Sequence, residues 1–249
     1  RVYPNGKLAA HVLGYVAPIS AEDLANLAAQ GYEEGAFIGR AGLEAWAERE
    51  LAGQKGGRLL IADADGDTVR VIAQRKARAG ATVQLTIALD VQQQAEQALG
   101  DKVGSVVVID PRDNSILAMG SHPAFDPNAF VTGISDEDWQ RLSTDPRYPF
   151  QNRASLSAYP TGSIFKVITM AAGLEKGGYR PDSPFDCNGR WTGLPGVVMG
   201  DWKPEGHGRL DLQEGLVESC DIVFYELGKK LDSLNGAPLP DFARQFGLG

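Results

Sequence analysis

The spacing of apolar and polar residues predicts short helices and turns in the first part of the chain. The segment "SAEDLANLAAQ" (residues 20–30) predicts a helix capped by Ser20, with Asp23 three positions later in a weaker form of the capping box. The segment "GLEAWAEREL" (residues 42–51) has the apolar spacing of an amphipathic helix. Glycine-rich turns separate these segments, so we expect small helices joined by loops.

The pattern changes near residue 80. A β-branched strand in "VQLTIALD" is expected to precede a helix with Asp90 as N-cap and Gly100 as its stop. The segment "GSVVVIDPRDNSILAMG" predicts two strands, 105–110 and 115–119, joined by a tight turn at "PRDN". The following "SHPAFDPNAF" is too rich in proline for regular structure and predicts a surface loop.

The last third of the chain is predicted to be mostly helical. One helix is expected from about residue 163 to 176, closed by Gly177 and Gly178. The segments "DLQEGLVES" and "DIVFYELGKKL" predict two more helices, separated by a turn at "SCD". A strand, a helix, a hairpin and then several helices predict an α+β fold whose sheet is only partly present.

Composition narrows the class of protein. The chain has 249 residues, enough for one large domain or two modest ones, and 24 basic against 32 acidic residues give a net charge of −8. The charges are dispersed, which argues against a nucleic-acid partner. No run approaches the roughly 18 to 20 apolar residues of a membrane span. The opening resembles the middle of a longer protein, so an anchor or signal preceding residue 1 is expected.

Candidate chemistry lies in "YPTGSIFKVITM" (residues 159–170), where Ser163 and Lys166 are three positions apart. On a helix these two side chains share one face, within hydrogen-bonding reach. The helix is apolar on nearly every side, which predicts burial, and burial would favour a neutral lysine that can accept a proton from the serine. The helix N-terminus would help to stabilise a tetrahedral intermediate. Because Ser-x-x-Lys also occurs by chance, the pair needs further context.

That context is the turn "SCD", where Ser219 and Asp221 supply further polar groups 56 residues after Ser163. A serine–lysine pair needs a second polar group to pass the proton to the leaving group. The segments "GSVVVIDPRDNSILAMGSHPAFDPNAF", "NRASLSAYPTGSIFK" and "GHGRLDLQEGLVESCDIVFYELG" resemble the class B penicillin-binding proteins, and most of all their elongation-type transpeptidases.

The resemblance covers the whole chain and implies two domains. Residues 1–84 are similar to the C-terminal part of the pedestal, or dimerisation, region of that family. Residues 85–249 are similar to the N-terminal part of its transpeptidase domain, which has the serine β-lactamase-like α+β fold. The third family motif, Lys-Thr-Gly, is missing from the sequence. The resemblance therefore implies a fragment without the strand that binds the peptide stem, and we expect this chain to bind β-lactams poorly or not at all.

The same resemblance implies roles for individual residues. Ser163 would be the acylated nucleophile, Lys166 its general base and Ser219 the proton relay. Asp221 stands where most of the wider family carries asparagine, and would help to bind the substrate amide. Trp202, close to "GHG", is expected near the pocket.

A metal site is also predicted. One 35-residue stretch contains four side chains of the types that bind zinc: Asp186, Asp201, His207 and Cys220. If Ser219 and Asp221 face the cleft, Cys220 turns away from it, toward the loop that carries the other three. The resemblance supports a structural zinc of this kind in elongation-type members. The alternatives are a buried hydrophobic Cys220, a turn role for His207, and Cys187 either replacing Asp186 as ligand or pairing with Cys220.

For the complete protein the resemblance implies a peptidoglycan D,D-transpeptidase that cross-links stem peptides through an acyl-serine and is acylated by β-lactams. It implies an extracytoplasmic position on the periplasmic face of the inner membrane, with an N-terminal anchor outside this chain. The implied partners are a SEDS-family glycosyltransferase and elongation scaffold proteins. Two alternatives stay open: a serine β-lactamase-type hydrolase, and a non-catalytic interaction module in which the pedestal binds cell-shape proteins.

Overall fold

A computed structural model describes residues 1–236 and 238–248 of the chain. The chain divides into two compact units, Arg1–Ala158 and a second that begins at Tyr159. The predicted domain boundary between residues 84 and 85 lies inside the first unit. No helix among the described residues is both long enough and apolar enough to cross a bilayer.

The first unit contains antiparallel hairpins and short helices. Its elements are α1 (Ala10–Leu13), β1 (Val16–Pro18), α2 (Ala21–Leu27), β2 (Phe37–Gly39), α3 (Gly42–Trp46), α4 (Glu48–Leu51), β3 (Gly57–Ala62), β4 (Thr68–Arg75), α5 (Leu89–Leu99), β5 (Gly104–Ile109), β6 (Ile116–His122), α6 (Asn128–Val131) and α7 (Asp136–Ser143). β1 pairs with β2, β3 with β4 and β5 with β6, each pair antiparallel.

Two local predictions from the first part of the chain have different outcomes. The capping box is confirmed, because the Ser20 side chain accepts from the Asp23 N–H while the Asp23 carboxylate accepts from the Ser20 N–H. The single amphipathic helix over residues 42–51 is wrong. Ala47 leaves the helical conformation, with φ −102° and ψ 23°, and divides this segment into α3 and α4.

The predicted hairpin at residues 105–119 is confirmed as β5 and β6, with Val107 opposite Met119. Helix α5 packs against β6 through Gln92, which is fully buried. The Gln92 amide donates to the Met119 carbonyl at 2.9 Å and accepts from the Met119 N–H at 2.8 Å. One side chain thus satisfies a backbone donor and a backbone acceptor of the strand, which explains a buried amide in an apolar layer.

Three expectations around this hairpin need correction. The segment "VQLTIALD" is not a strand: the Thr86 hydroxyl and the Ala88 N–H each donate one bond to β6 carbonyls, which is too few for a ladder. Asp90 is not the N-cap, because α5 begins at Leu89. "SHPAFDPNAF" is not a surface loop, since Phe125 and Phe130 are 3% and 4% exposed and pack in an aromatic cluster.

The first residues of the chain pack against the segment after residue 85. The Ala9 N–H donates to the Glu96 carboxylate at 2.8 Å. The His11 Nε2 lies 2.7 Å from the Pro149 carbonyl oxygen, and both groups are buried. These contacts explain why the pedestal-like residues and the start of the second predicted domain form one compact unit.

The second unit carries the candidate catalytic residues. After a 3-10 turn at Gly162–Phe165, its elements are α8 (Lys166–Glu175), β7 (Pro184–Cys187), β8 (Arg190–Trp191), β9 (Met199–Gly200), β10 (Gly208–Asp211), α9 (Leu212–Val217), α10 (Asp221–Asp232) and α11 (Pro238–Gln245). β7 pairs with β10 and β8 with β9, both antiparallel. Antiparallel sheets and separate helices confirm the α+β class.

Helices α8 and α10 form the core of this unit. Gly173 on α8 allows close approach, because a Cβ there would lie 2.8 Å from Leu227 Cδ2 on α10. The expectation that the serine–lysine helix is buried on all sides is wrong, since Ile164 and Val167 are 75% and 55% exposed. Only the face that packs against α10 and its neighbours is covered, so apolar composition overestimated the burial of this helix.

Candidate active site

The predicted nucleophile and base lie at the junction of the 3-10 turn and α8. Ser163 is exposed on the turn, and Lys166 is the first residue of α8, 9% exposed. Among the described residues no hydrogen bond joins their side chains directly. An accessible hydroxyl beside a buried amine suits a nucleophile and its base, and a third group links them.

That third group is Ser219, on the turn between α9 and α10. Its hydroxyl donates to Ser163 Oγ at 3.0 Å and accepts from Lys166 Nζ at 3.1 Å. Because hydroxyl hydrogens rotate freely, the contact between the two serines can carry a proton in either direction. Ser219 has φ +53°, a left-handed conformation that costs a non-glycine residue about 1–2 kcal/mol. The fold thus holds the relay hydroxyl in place against backbone strain.

Lys166 is held by three acceptors, one for each hydrogen of an ammonium group. Its Nζ donates to the Ser219 carbonyl at 2.7 Å, to the Ser219 hydroxyl, and to Asp221 Oδ1 at 2.6 Å. The last contact is an ion pair in which both side chains are largely buried. A carboxylate at this distance stabilises a charged amine, an effect opposite to that of burial.

The remaining oxygen of Asp221 is also in use, since Oδ2 accepts from the Trp202 N–H at 3.2 Å. Both carboxylate oxygens of this residue, predicted to bind substrate, therefore have partners within the protein. Trp202 is 62% exposed and its indole N–H donates to the Glu218 carbonyl at 3.0 Å. Its exposed ring lies beside the Ser219 turn, as a wall of the pocket would.

The predicted metal ligands are brought together only in part. Cys187, Asp201 and Cys220 each place a ligand atom within 4.8 Å of the other two. His207 adjoins them, because its buried Nε2 lies 3.3 Å from Asp201 Oδ1. Within the described part of the chain this nitrogen has no hydrogen-bond partner. Asp186 is exposed, so Cys187 takes its place in the cluster. The two residues are neighbours on β7, where successive side chains point to opposite faces, and this alternation could have indicated Cys187 from the sequence.

The electrostatics of this cluster are set by burial and hydrogen bonds. Burial alone would raise the pKa of the Asp201 carboxyl, but N–H and thiol donors lower it to about 2. The N–H donors are Lys203 at 2.9 Å and Asp221 at 2.8 Å. Burial raises the pKa of the Cys220 thiol, and both cysteines of the chain are free thiols in the structure. Two thiols, an imidazole and a carboxylate are a donor set that zinc accepts.

An exposed serine linked through a second serine to a buried lysine defines a serine–lysine site for acyl transfer. A family model for the penicillin binding protein transpeptidase domain matches residues 104–249, and one for the penicillin-binding protein dimerisation domain matches residues 1–85. The chain therefore belongs to the penicillin-binding protein transpeptidase family, as the sequence motifs predicted.

Relatives and solved structures agree with this assignment. The chain is 38% identical over 233 residues to the peptidoglycan D,D-transpeptidase MrdA of Salmonella typhimurium, an alignment covering 91% of this chain and 37% of the relative. A complex of PBP2 and MreC from Helicobacter pylori matches with TM-score 0.87 and 29% identity, over 99% of this chain and 45% of that one. Pseudomonas aeruginosa PBP2 with WCK 5153 matches with TM-score 0.83 and 33% identity, over 99% and 50%. The chain thus spans half or less of the proteins it resembles.

Proposed function

We propose that the complete protein is a peptidoglycan D,D-transpeptidase that works through an acyl-enzyme on Ser163. The observation that carries the proposal is the continuous hydrogen-bonded path from Lys166 Nζ through Ser219 Oγ to Ser163 Oγ. The similarity to transpeptidases named MrdA supports the choice of substrate, the stem peptides of peptidoglycan.

In the proposed reaction the Ser163 oxygen attacks the penultimate D-Ala carbonyl of a stem peptide while its proton moves toward Lys166, directly or through Ser219. Collapse of the tetrahedral intermediate breaks the peptide bond, and the departing D-Ala amine takes up that proton. An amine of a neighbouring strand then attacks the acyl-serine, gives up a proton along the same path, and leaves the two strands cross-linked. A β-lactam acylates the same oxygen.

Asp221 has a specific part in this scheme. A lysine that accepts a proton from the serine must be neutral in the reacting complex, and Asp221, whose Oδ1 lies 2.6 Å from Nζ, holds that amine in place. The same carboxylate, fixed by the Trp202 N–H, orients the amine toward the two serines. We propose that Asp221 holds Lys166, while the exposed Trp202 ring borders the bound peptide.

Intact-mass analysis of the complete protein after penicillin treatment tests the proposal. We expect one adduct, absent in Ser163→Ala, and acylation slowed by about 100-fold or more in Lys166→Ala, as a positioned general base contributes ~10²–10⁴. An adduct on another serine, or an unchanged rate without Lys166, would contradict the mechanism. Rapid release of the adduct by hydrolysis would favour a β-lactamase instead.

We also propose partners and a location for the complete protein. The PBP2–MreC complex and a peptidoglycan synthase complex that matches with TM-score 0.83 support an elongation scaffold protein and a glycosyltransferase as partners. The family supports an extracytoplasmic position with a membrane anchor outside residues 1–249. Co-purification of the tagged complete protein with both partners from membranes, and its loss on deleting residues 1–84, would test this part.

Finally, we propose a structural zinc ion held by Cys187, Asp201, His207 and Cys220, with Cys187 in place of Asp186, an alternative that the sequence left open. Two observations support the fit: the two adjacent thiols, and the buried His207 Nε2, for which residues 1–236 and 238–248 supply no hydrogen-bond partner. Buried polar atoms without a partner are rare. Such an ion would stabilise the loop between β7 and β10 and the turn that carries Ser219, without contact to substrate.

Metal analysis of the complete protein, purified without chelators, should find about one zinc per chain. Cys187→Ser and Cys220→Ser should lose the metal and melt at lower temperature, because a structural metal adds its binding energy to folding. The matched variant Asp186→Asn should keep both the metal and the melting temperature. Metal-free protein whose melting is unchanged by EDTA, or a Cys187–Cys220 disulfide found by thiol titration, would contradict zinc binding.

A further inference from the structure

The first unit contains an open cleft of about 920 Å³, separate in sequence from the catalytic residues. Strand β2, helix α4 and the base of the β3–β4 hairpin contribute its walls. A volume of this size is typical of a site for a ligand of drug size or somewhat larger. Nothing in the acyl-transfer scheme uses these residues, so the cleft needs an explanation of its own.

The charges on its walls are unbalanced in a chain whose net charge is −8. Four cations line the cleft: Arg1, Arg49, Lys55 and Arg75. Arg1 pairs with Glu44 and Lys55 with Glu33, whereas the side chains of Arg49 and Arg75 have no ion pair or hydrogen bond within residues 1–236 and 238–248. The lining contains one carboxylate, Glu48, and both of its oxygens are engaged, with the Tyr32 hydroxyl at 2.6 Å and a backbone N–H at 2.7 Å. Because Arg1 and Lys55 are paired and Glu48 offsets one of the two free arginines, the cleft keeps a small excess of positive charge, which favours an anionic ligand.

The uncharged side chains of the lining include aromatic rings and amides. Tyr32 and Phe37 present aromatic surface, with Phe37 44% exposed, and Gln30 and Gln54 offer amides that both donate and accept. The Tyr32 ring is fixed by its bond to Glu48, and burial and this bond raise the pKa of its phenol to about 12. Aromatic faces pack against the C–H faces of sugar rings, and amides match their hydroxyl groups.

We propose that this cleft binds an uncrosslinked peptidoglycan strand, with its sugar rings against Tyr32 and Phe37 and its stem carboxylates on Arg49 and Arg75. The proposal rests on the proposed function, and it adds a strand-binding site built from residues that the acyl-transfer scheme does not use. An acidic peptide would pair with the cations, but it would not account for the aromatic and amide groups of the lining. A membrane surface would need the cations on a convex or flat face, whereas these line a recess.

The test measures binding of purified uncrosslinked peptidoglycan strands to the complete protein by co-sedimentation. All variants carry Ser163→Ala, so that capture as an acyl-enzyme does not contribute. The double variant Arg49→Glu/Arg75→Glu should bind about tenfold more weakly, because two solvated ion pairs are replaced by repulsion. Phe37→Ala should also weaken binding, and added salt should reduce it.

The matched control is Lys7→Glu/Arg190→Glu, which makes the same change in net charge at two exposed cations outside the cleft and should bind as before. Equal binding by the two double variants would overturn the proposal. Competition by poly-glutamate or by vesicles of anionic lipid that is as effective as competition by peptidoglycan strands would also overturn it. A structure of the complete protein with its own chain in the cleft would do the same. Absence of penicillin acylation in the protein that keeps Ser163 would contradict the proposed function alone, because strand binding is measured in the Ser163→Ala background.

Discussion

The contact between α8 and α10 makes a quantitative prediction for Gly173→Ala. The added Cβ would lie 2.8 Å from Leu227 Cδ2 and 3.2 Å from Leu227 Cγ, both closer than ordinary van der Waals contact. Leu227 is fully buried, so its side chain has little room to rotate away. Since Lys166 begins α8 and Asp221 begins α10, any separation of the two helices would also disturb the ion pair.

The size of the effect is a balance of two terms. Overpacking in a core typically costs about 1–3 kcal/mol. Replacing glycine by alanine within a helix returns about 1 kcal/mol. We therefore expect Gly173→Ala to lower the free energy of unfolding by roughly 0–2 kcal/mol. The matched control is Gly228→Ala on α10, where a Cβ meets nothing within 4 Å and only the favourable helix term should remain.

Urea unfolding of the complete protein, followed by a signal from the second unit, measures both variants. Gly228→Ala should be more stable than the parent, Gly173→Ala equal or less stable, and the two should differ by about 1–3 kcal/mol. Penicillin acylation should slow in Gly173→Ala alone. If Gly173→Ala and Gly228→Ala raise the free energy of unfolding equally, the contact between α8 and α10 does not require glycine at position 173, and the prediction is refuted.

Three further predictions follow from single residues. The free energy of unfolding of Ser219→Gly should exceed that of Ser219→Ala by about 1 kcal/mol, because glycine adopts the left-handed conformation without strain. Both variants should lose rapid acylation. Asp221→Ala should acylate about 10–100-fold more slowly than Asp221→Asn, which keeps an acceptor for Lys166. Burial lowers the pKa of His11, so below about pH 6.5 the unfolded state binds more protons and stability falls. His11→Gln should reduce that loss in urea titrations at pH 5.5 and 7.5, with His122→Gln as control.

Local signals in the sequence were sufficient for several elements. The β5–β6 hairpin follows from apolar strands around "PRDN", and the capping box from Ser20 and Asp23, because turn and cap chemistry act over a few residues. Helix spacing placed Ser163 and Lys166 on one face within hydrogen-bonding reach, whereas the structure puts Ser163 on the 3-10 turn and joins the two through Ser219. Their link to Ser219, 56 residues away, could not be read from spacing and was implied by the family resemblance.

The failures share a physical cause, since each depended on which neighbour covers a side chain. An apolar helix was expected to be buried on all sides, yet Ile164 is 75% exposed because packing covers one face only. A proline-rich segment was expected at the surface, yet Phe125 is buried by other aromatic rings. For the metal site, residue type left both Asp186 and Cys187 open as ligands, and the alternation of side chains along the strand places Cys187 in the cluster.

Hydrogen bonds connect the turn that carries Ser219 to the cluster of Cys187, Asp201 and Cys220. The Asp221 N–H donates to Asp201 at 2.8 Å, while the Asp221 carboxylate accepts from Trp202, the residue after Asp201. These reciprocal bonds tie the start of α10 to the loop before β10 and so fix both Ser219 and the acceptor for Lys166. Loss of activity in an Asp201 variant therefore does not by itself demonstrate a role for metal. Cys187 is coupled to the turn as well, because its thiol donates at 3.6 Å to Asp201 Oδ2, the oxygen that accepts from the Asp221 N–H. Metal content must therefore be measured beside activity in every variant of this cluster.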